Sequence, residues 1–196
     1  IDTAVSECRV LYSHIIDTVS NIIETEEVDY FINFGVSYAW IDSQLAKKFP
    51  KVKFIGVDRS IGVKELNDLE FNRYNIEFIA GNIFDYLTSR RFDNDILFTS
   101  RTLTLLPRDF ILRLWRKANE SGIRYIVGME PTGNCEIGTY YFSESMKPSV
   151  LYRGQMFIHN YPALLKESGY RTKSLDLIKT GHPHKDFRIV SFFGER

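Results

Sequence analysis

Net charge is the first thing this 196-residue chain lacks: 25 lysines and arginines balance 25 aspartates and glutamates. A balanced surface builds no long-range field for a polyanion, so neither nucleic acid nor an anionic membrane is an expected partner. The small basic group Arg113, Arg116 and Lys117 shares its segment with Ile111, Leu112, Leu114 and Trp115, which reads as the solvated face of an amphipathic helix. Cysteine is scarce as well. Cys8 and Cys135 form no metal-ligand pair, and a reduced, cytoplasmic setting is the expectation, with a disulfide between them left open. No apolar run is long enough to span a bilayer, and no signal peptide is visible. Repeats and low-complexity tracts are missing too. The sequence begins at Ile1 rather than Met, which leaves room for upstream domains. What remains is an ordinary globular composition, 44% hydrophobic and 26% charged, long enough for one domain (residues 1–196) with a full core.

Against that background, residues 28–60 stand out: VDYFINFGVSYAWIDSQLAKKFPKVKFIGVDRS. An apolar run breaks at Gly35 into a turn of small residues, Gly35, Ser37 and Ala39. A helical segment then leads to a second apolar run that ends in Asp58. Strand, small-residue turn, helix, strand and terminal acid make a parallel βαβ unit suited to an adenosine-containing ligand. Small residues let the backbone approach the ligand, and the acid accepts hydrogen bonds from ribose hydroxyls. A dinucleotide fingerprint fails, because Gly35 is followed by Ser37 and Trp40 where further glycines are required, and no P-loop is present.

Periodicity extends the pattern. Residues 3–26, within an N-terminal helical segment 1–27, place Cys8, Leu11, Ile15, Val19, Ile22 and Ile23 on one helix face, with Asp2 or Thr3 as cap. Strands are expected at 30–34, 53–57, 76–80, 95–99 and 124–129. Helices are expected at 38–49, 63–72, 84–87 and from Pro107–Asp109 to Gly122. Residues 130–158 read as an irregular excursion on the substrate side. A helix at 161–167 and two closing strands at 171–178 and 187–193, around the turn 181–186, complete the chain. The expected fold is therefore α/β: a Rossmann-like three-layer sandwich, its seven-stranded sheet mainly parallel, with a C-terminal antiparallel hairpin and an N-terminal helix in front. Ligands bind such sheets beyond the carboxyl ends of the strands, which selects Gly35–Ala39, Asp58–Ser60, Gly81–Ile83 and Ser100–Thr102.

At these positions the chain resembles the class I S-adenosylmethionine-dependent methyltransferases over nearly its whole length. The family's first motif is a strand ending in an acid, followed by three glycines at alternate positions; here that register reads Asn33, Gly35, Ser37, Ala39. The second motif acid corresponds to Asp58 in FIGVDRS, and the Gly-Asp pair that contacts adenine corresponds to Gly81-Asn82 in FIAGNIFDYL. DILFTSRTLTLLP, from Asp95, and HNYPALLKESGYRTKSLDLI, from His159, are also similar to the family. The latter resembles sugar and natural-product O-methyltransferases. The resemblance implies S-adenosylmethionine as cofactor, S-adenosylhomocysteine as product, and a site built from Asn33, Gly35, Ser37, Tyr38, Asp58, Arg59, Gly81, Asn82, Ile83, Ser100 and Arg101. Asn33 keeps an acceptor oxygen but loses the family's charge, while Ser37 and Ala39 add bulk in the turn.

The expected reaction is methyl transfer to a small-molecule acceptor, at a hydroxyl oxygen. The segment Thr99-Ser100-Arg101-Thr102 lacks the acidic-Pro-Pro-aromatic sequence that nitrogen methyltransferases often carry after strand four. His159, ahead of a helix and after the excursion, is the first candidate for a base; capping that helix is its structural alternative. Glu130 follows the fifth strand and either faces the acceptor or makes a turn with Pro131. Tyr140, Tyr141, Phe142, Tyr152 and Phe157 either shape an acceptor pocket or pack under a loop. Tyr30 reads as core. His182 and His184 lack further ligands for a metal. The altered turn keeps a second reading open, a methyltransferase-like binding or docking domain without transfer activity.

Overall fold

The computed structural model describes residues 2–133, 149–152, 156–179 and 188–196. Helix α1 (Asp2–Thr25) is followed by β1 (Tyr30–Phe34), α2 (Trp40–Lys48), β2 (Lys53–Asp58), α3 (Ile61–Phe71), β3 (Ile76–Ala80), α4 (Ile83–Thr88) and β4 (Ile96–Ser100). A 3-10 turn (Leu103–Leu105) leads to α5 (Arg108–Ser121) and β5 (Tyr125–Gly133). Then come β6 (Ser149–Tyr152), β7 (Met156–His159), α6 (Tyr161–Glu167), β8 (Arg171–Lys179) and β9 (Arg188–Glu195). The main sheet runs β3-β2-β1-β4-β5-β9-β8. Its first five strands are parallel, and β9 lies antiparallel between β5 and β8. The strand order reverses between β1 and β4, which opens a crevice at their carboxyl ends.

Alternation along the strands assigns each side chain to a face. Phe31, Phe54, Ile96, Phe98 and Val127 pack with α1 and α2 through Ile15, Val19, Ile22 and Leu45. Ile32, Ile55, Leu97 and Ile126 face the opposite way, against Ile111, Leu114, Trp115 and Leu164 of α5 and α6. On the first face Phe31 lies 5.3 Å from both Phe54 and Phe98, ring to ring. Fully burying each such side chain contributes roughly 2–3 kcal/mol. The same alternation turns Asn33 toward α2, because it sits two residues after Phe31.

Most element boundaries match the expectations within one to three residues. Gly122 ends α5 at φ +104°, and a Cβ there would collide with the carbonyl oxygen of Phe92. Two differences matter. β5 does not stop at Met129 but runs to Gly133, paired with β9, so Glu130 is a strand residue and not part of a turn. Within the expected irregular excursion, β6 and β7 form an antiparallel pair. Cys135, Tyr140, Tyr141, Phe142, His182 and His184 lie outside the described residues, as do the side chains of Cys8 and Tyr152. No helix among the described residues is long and apolar enough to cross a membrane.

Candidate active site

A cavity of about 880 Å³ opens at the carboxyl ends of β1, β2 and β4, walled by Gly35, Ser37, Tyr38, Asp58, Ser100, Arg101 and Thr102 and by Asn33 and Asp42 behind them. The turn after β1 sets its floor. Gly35 takes φ +74°, and a Cβ on it would sit 2.6 Å from Cγ2 of Thr102, so this position requires glycine twice over. Its N–H donates to Val57 O at 2.8 Å. Ser37 is also left-handed, at φ +46°, where a side chain costs roughly 1–2 kcal/mol. The turn holds this conformation because Asn67, buried on α3, braces it: its amide nitrogen donates to Ser37 O at 2.6 Å and its oxygen accepts from Ala39 N at 3.1 Å. Asp58 closes the unit from β2, accepting from Ser60 N at 3.0 Å and more weakly from Ser37 N at 3.4 Å. A carboxylate has about four lone-pair sites, so two such bonds leave room for ligand hydroxyls.

Behind the turn lies a buried pair. Asn33 Nδ2 donates to Asp42 Oδ2 at 2.7 Å, and both residues are almost wholly enclosed. Burial pushes the Asp42 carboxyl up to about 6 despite that bond. The remaining oxygens, Asn33 Oδ1 and Asp42 Oδ1, have no hydrogen-bond partner among the described residues.

The opposite wall is organised by Glu130. Its Oε1 accepts from Thr99 Oγ1 at 3.1 Å and from the N–H groups of Thr102 and Leu103 at 3.2 Å each. It thereby straps the loop after β4 onto β5 and seats Thr102 against Gly35. Burial raises its carboxyl to about 7. Arg101, left-handed at φ +56°, donates its N–H to Met129 O at 3.0 Å and carries its guanidinium over the Tyr12 ring of α1 at 5.9 Å. Tyr12 packs on Trp40 at 5.3 Å, and these rings, with the exposed Leu105, give the cavity mouth an apolar rim.

Seven of the expected binding residues therefore share the cavity wall: Asn33, Gly35, Ser37, Tyr38, Asp58, Ser100 and Arg101. Four do not. Arg59 points to solvent, and Gly81 shows neither a left-handed φ nor a tight neighbour. Asn82 caps α4 by accepting from Phe84 N at 3.1 Å, and the Ile83 side chain is in the core. His159 departs furthest from its expected role as base. It is fully buried and outside the cavity wall, with Nε2 bonded to Leu103 O at 3.1 Å and Nδ1 to Ser149 Oγ at 2.6 Å. Burial lowers its pKa to about 4, so it is neutral and committed to holding β6, β7 and the 3-10 turn together. The cap of α6 is instead Asn160, which accepts from Ala163 N. Tyr30 is partly buried against the core, edge-on to Phe92. Asp42, Asn67 and Tyr12 were not singled out in the sequence. Of these, Asp42 left a signal, an acid three residues past Ala39 in the first turn of an otherwise apolar-facing helix. Among the described residues no cluster of three or more His, Cys, Asp or Glu could hold a metal.

Sheet order, crevice and turn together have the fold of the class I S-adenosylmethionine-dependent methyltransferases. Magnesium protoporphyrin IX methyltransferase from Synechocystis PCC 6803, solved with S-adenosylhomocysteine bound, superposes with a TM-score of 0.66 at 12% identity, over 100% of this chain and 88% of that one. The N-methyltransferase NodS from Bradyrhizobium japonicum WM9 gives 0.66 at 10% identity, over 97% and 98%. Coclaurine N-methyltransferase, bound to N-methylheliamine and S-adenosylhomocysteine, gives 0.68 at 10%, over 94% and 72%. No family model and no curated protein matches the sequence.

Proposed function

We propose that the chain is an S-adenosylmethionine-dependent methyltransferase of small molecules, with a hydroxyl oxygen as acceptor. The observation that carries this reading is the cavity at the strand-order reversal, where a glycine-dependent turn faces a strand-end acid. Gly35 lets the backbone come close, Asp58 offers oxygens to ribose hydroxyls, and the hydrogen-bonded Asn33–Asp42 pair lines the wall behind them. These residues fit a nucleoside with a polar tail. When bound, S-adenosylmethionine supplies an activated methyl carbon. The protein's share of the work is alignment and exclusion of water. Tyr12, Trp40 and Leu105 provide the apolar rim against which an acceptor would rest, and the Glu130 strap holds Thr102 and Arg101 in place beside it. A hydroxyl acceptor is supported by Ser100-Arg101-Thr102, which sets no acid or aromatic of the nitrogen-directed type at the strand tip.

Two tests follow. Asp58→Ala should remove S-adenosylmethionine binding while leaving the circular dichroism spectrum unchanged; retained affinity would sink the assignment of Asp58. Incubation with S-adenosylmethionine carrying a labelled methyl group, across hydroxylated sugars and phenols, should give labelled ethers. Label appearing only on amines would overturn the oxygen assignment. The burial of His159 favours one other reading, a nucleoside-binding domain without transfer, which complete absence of labelled product alongside normal cofactor binding would select.

A further inference from the structure

Exposed apolar surface gathers at one place on this molecule. Among the described residues six large apolar side chains are exposed, and three of them, Tyr38, Trp40 and Leu105, line the cavity at the strand tips. Tyr12 joins them from α1, its ring 5.3 Å from that of Trp40. Aromatic faces collected on a concave wall suit a flat apolar body. We propose that this mouth is the acceptor subsite and that it takes a planar aromatic ring bearing a carboxylate, the ring against Tyr12 and Trp40 and the carboxylate on the Arg101 guanidinium. This rests on reading the cavity as an S-adenosylmethionine site, and it assigns Arg101 to the acceptor and not to the cofactor.

Arg101 supplies the charge. It alone is basic among the described residues that line the cavity, and neither cavity acid, Asp42 or Asp58, pairs with it. Its side-chain N–H donors have no acceptor among the described residues. The guanidinium lies instead within cation–π reach of Tyr12, 5.9 Å from the ring centre. Stacking uses the face of a guanidinium and leaves its rim of N–H groups for an anion. The backbone is prepared as well. Arg101 is left-handed at φ +56°, a conformation that persists in a non-glycine residue only where its surroundings enforce it. Met129 O accepts its N–H at 3.0 Å, and Glu130 Oε1 accepts the next N–H, that of Thr102, at 3.2 Å. Both holds come from β5, so the residue is anchored at the mouth. A guanidinium fork matches the two oxygens of a carboxylate. A neutral ring would leave that charge idle, and an aliphatic acid would leave the aromatic faces uncovered. The chain's zero net charge points to a small acid and not to a polyanion. A cavity of about 880 Å³ lies toward the upper end of small-molecule sites, roughly 300–1,000 Å³, which leaves room for a ring beside a nucleoside.

Calorimetric titration of the protein saturated with S-adenosylhomocysteine tests the assignment. The probes are the isomeric hydroxybenzoates and hydroxynaphthoates and the matching amides, which differ chiefly in charge. At least one acid should bind roughly tenfold or more tightly than its amide. Arg101→Gln should abolish that preference with S-adenosylhomocysteine affinity unchanged, and Arg101→Lys should recover part of it. Tyr12→Ala should weaken acid and amide alike; unchanged affinity for both would overturn the placement of the ring. Acids that bind no more tightly than amides, in a protein that binds S-adenosylhomocysteine, would overturn this proposal alone. So would an Arg101→Gln variant that keeps the preference, or one that loses S-adenosylhomocysteine to the same degree, which marks Arg101 as a cofactor or structural residue. If the wild-type protein does not bind S-adenosylhomocysteine, the cavity reading itself falls, and the acceptor subsite with it.

Discussion

At the amino end of the sheet, Asp95 accepts from Tyr30 N at 2.7 Å, Asp93 N at 3.0 Å and Asp29 N at 3.2 Å, so both its oxygens are engaged. At the carboxyl end, Asp42 has one amide partner and an open oxygen. Both acids are 1% exposed, and burial raises both to about 6. Burial and pKa alone cannot tell them apart; completeness of partnership does. Asp95 ties the entry of β1 to β4 and has nothing left to give a ligand. Asp42 is equally hidden from solvent, yet it lines the cavity wall and its Oδ1 has no partner among the described residues, and incomplete pairing of this kind is where function departs from folding rules. Backbone conformation repeats the contrast. Left-handed residues at the amino end are Asn94, Gly122 and Gly169, types that tolerate it, whereas the cavity end has, beside Gly35, Ser37 and Arg101, which do not.

The contrast breaks most visibly at Asp95. Asp95→Ala strands three N–H groups and should cost about 3 kcal/mol in urea denaturation, whereas Asp42→Asn should leave stability unchanged or higher. Comparable losses at both sites would erase the distinction. Next in size, Asn67→Ala removes both braces of the β1–α2 turn and should cost about 2 kcal/mol, with weakened S-adenosylhomocysteine binding in the same titration; a stable variant with wild-type affinity would show that the turn holds itself. The pH dependence of stability sharpens the comparison further. Glu130 is raised to about 7, and Asp42 and Asp95 to about 6, all by burial. The folded state then binds more protons than the unfolded chain between about pH 4 and 7, so stability falls as pH rises through that window. Glu195, held near 2 by Lys173 and Arg124, contributes at neutral pH and loses its effect only below about pH 4.5, so it does not mask the trend. Urea midpoints should be lower at pH 8 than at pH 5, and Glu130→Gln should remove on the order of 2 kcal/mol of that difference. An unchanged slope would mean the Glu130 environment is wetter than its burial implies. The smallest expected effect is Ser37→Gly, which relieves the left-handed strain and should raise stability by about 0.5–1 kcal/mol.

Much of the fold was legible because it rests on local signals. Apolar runs ending at Gly35 and Asp58, and the helix stop at Gly122, fix elements without reference to distant residues. The cavity wall was legible where a residue directly follows a strand, as with Gly35, Asp58 and Arg101. It failed where a side chain's task is set by another element. Asn82, expected as a ligand contact, uses its side-chain oxygen to cap α4 and lies outside the cavity wall. His159 looked like a base, yet β6 and the 3-10 turn take both its nitrogens. Asn67 and Asp42 reach the site only through helix packing, and no spacing rule in one chain reveals which helix face will meet which strand. The β6–β7 pair escaped because its short strands carry no alternation strong enough to distinguish them from a loop.

The most direct measurement is calorimetric titration of the protein with S-adenosylmethionine and S-adenosylhomocysteine. The cavity described here predicts micromolar affinity for both, at one site per chain. No heat of binding with ligand at millimolar concentration would contradict the account, because the Gly35 turn and Asp58 would then form no cofactor site.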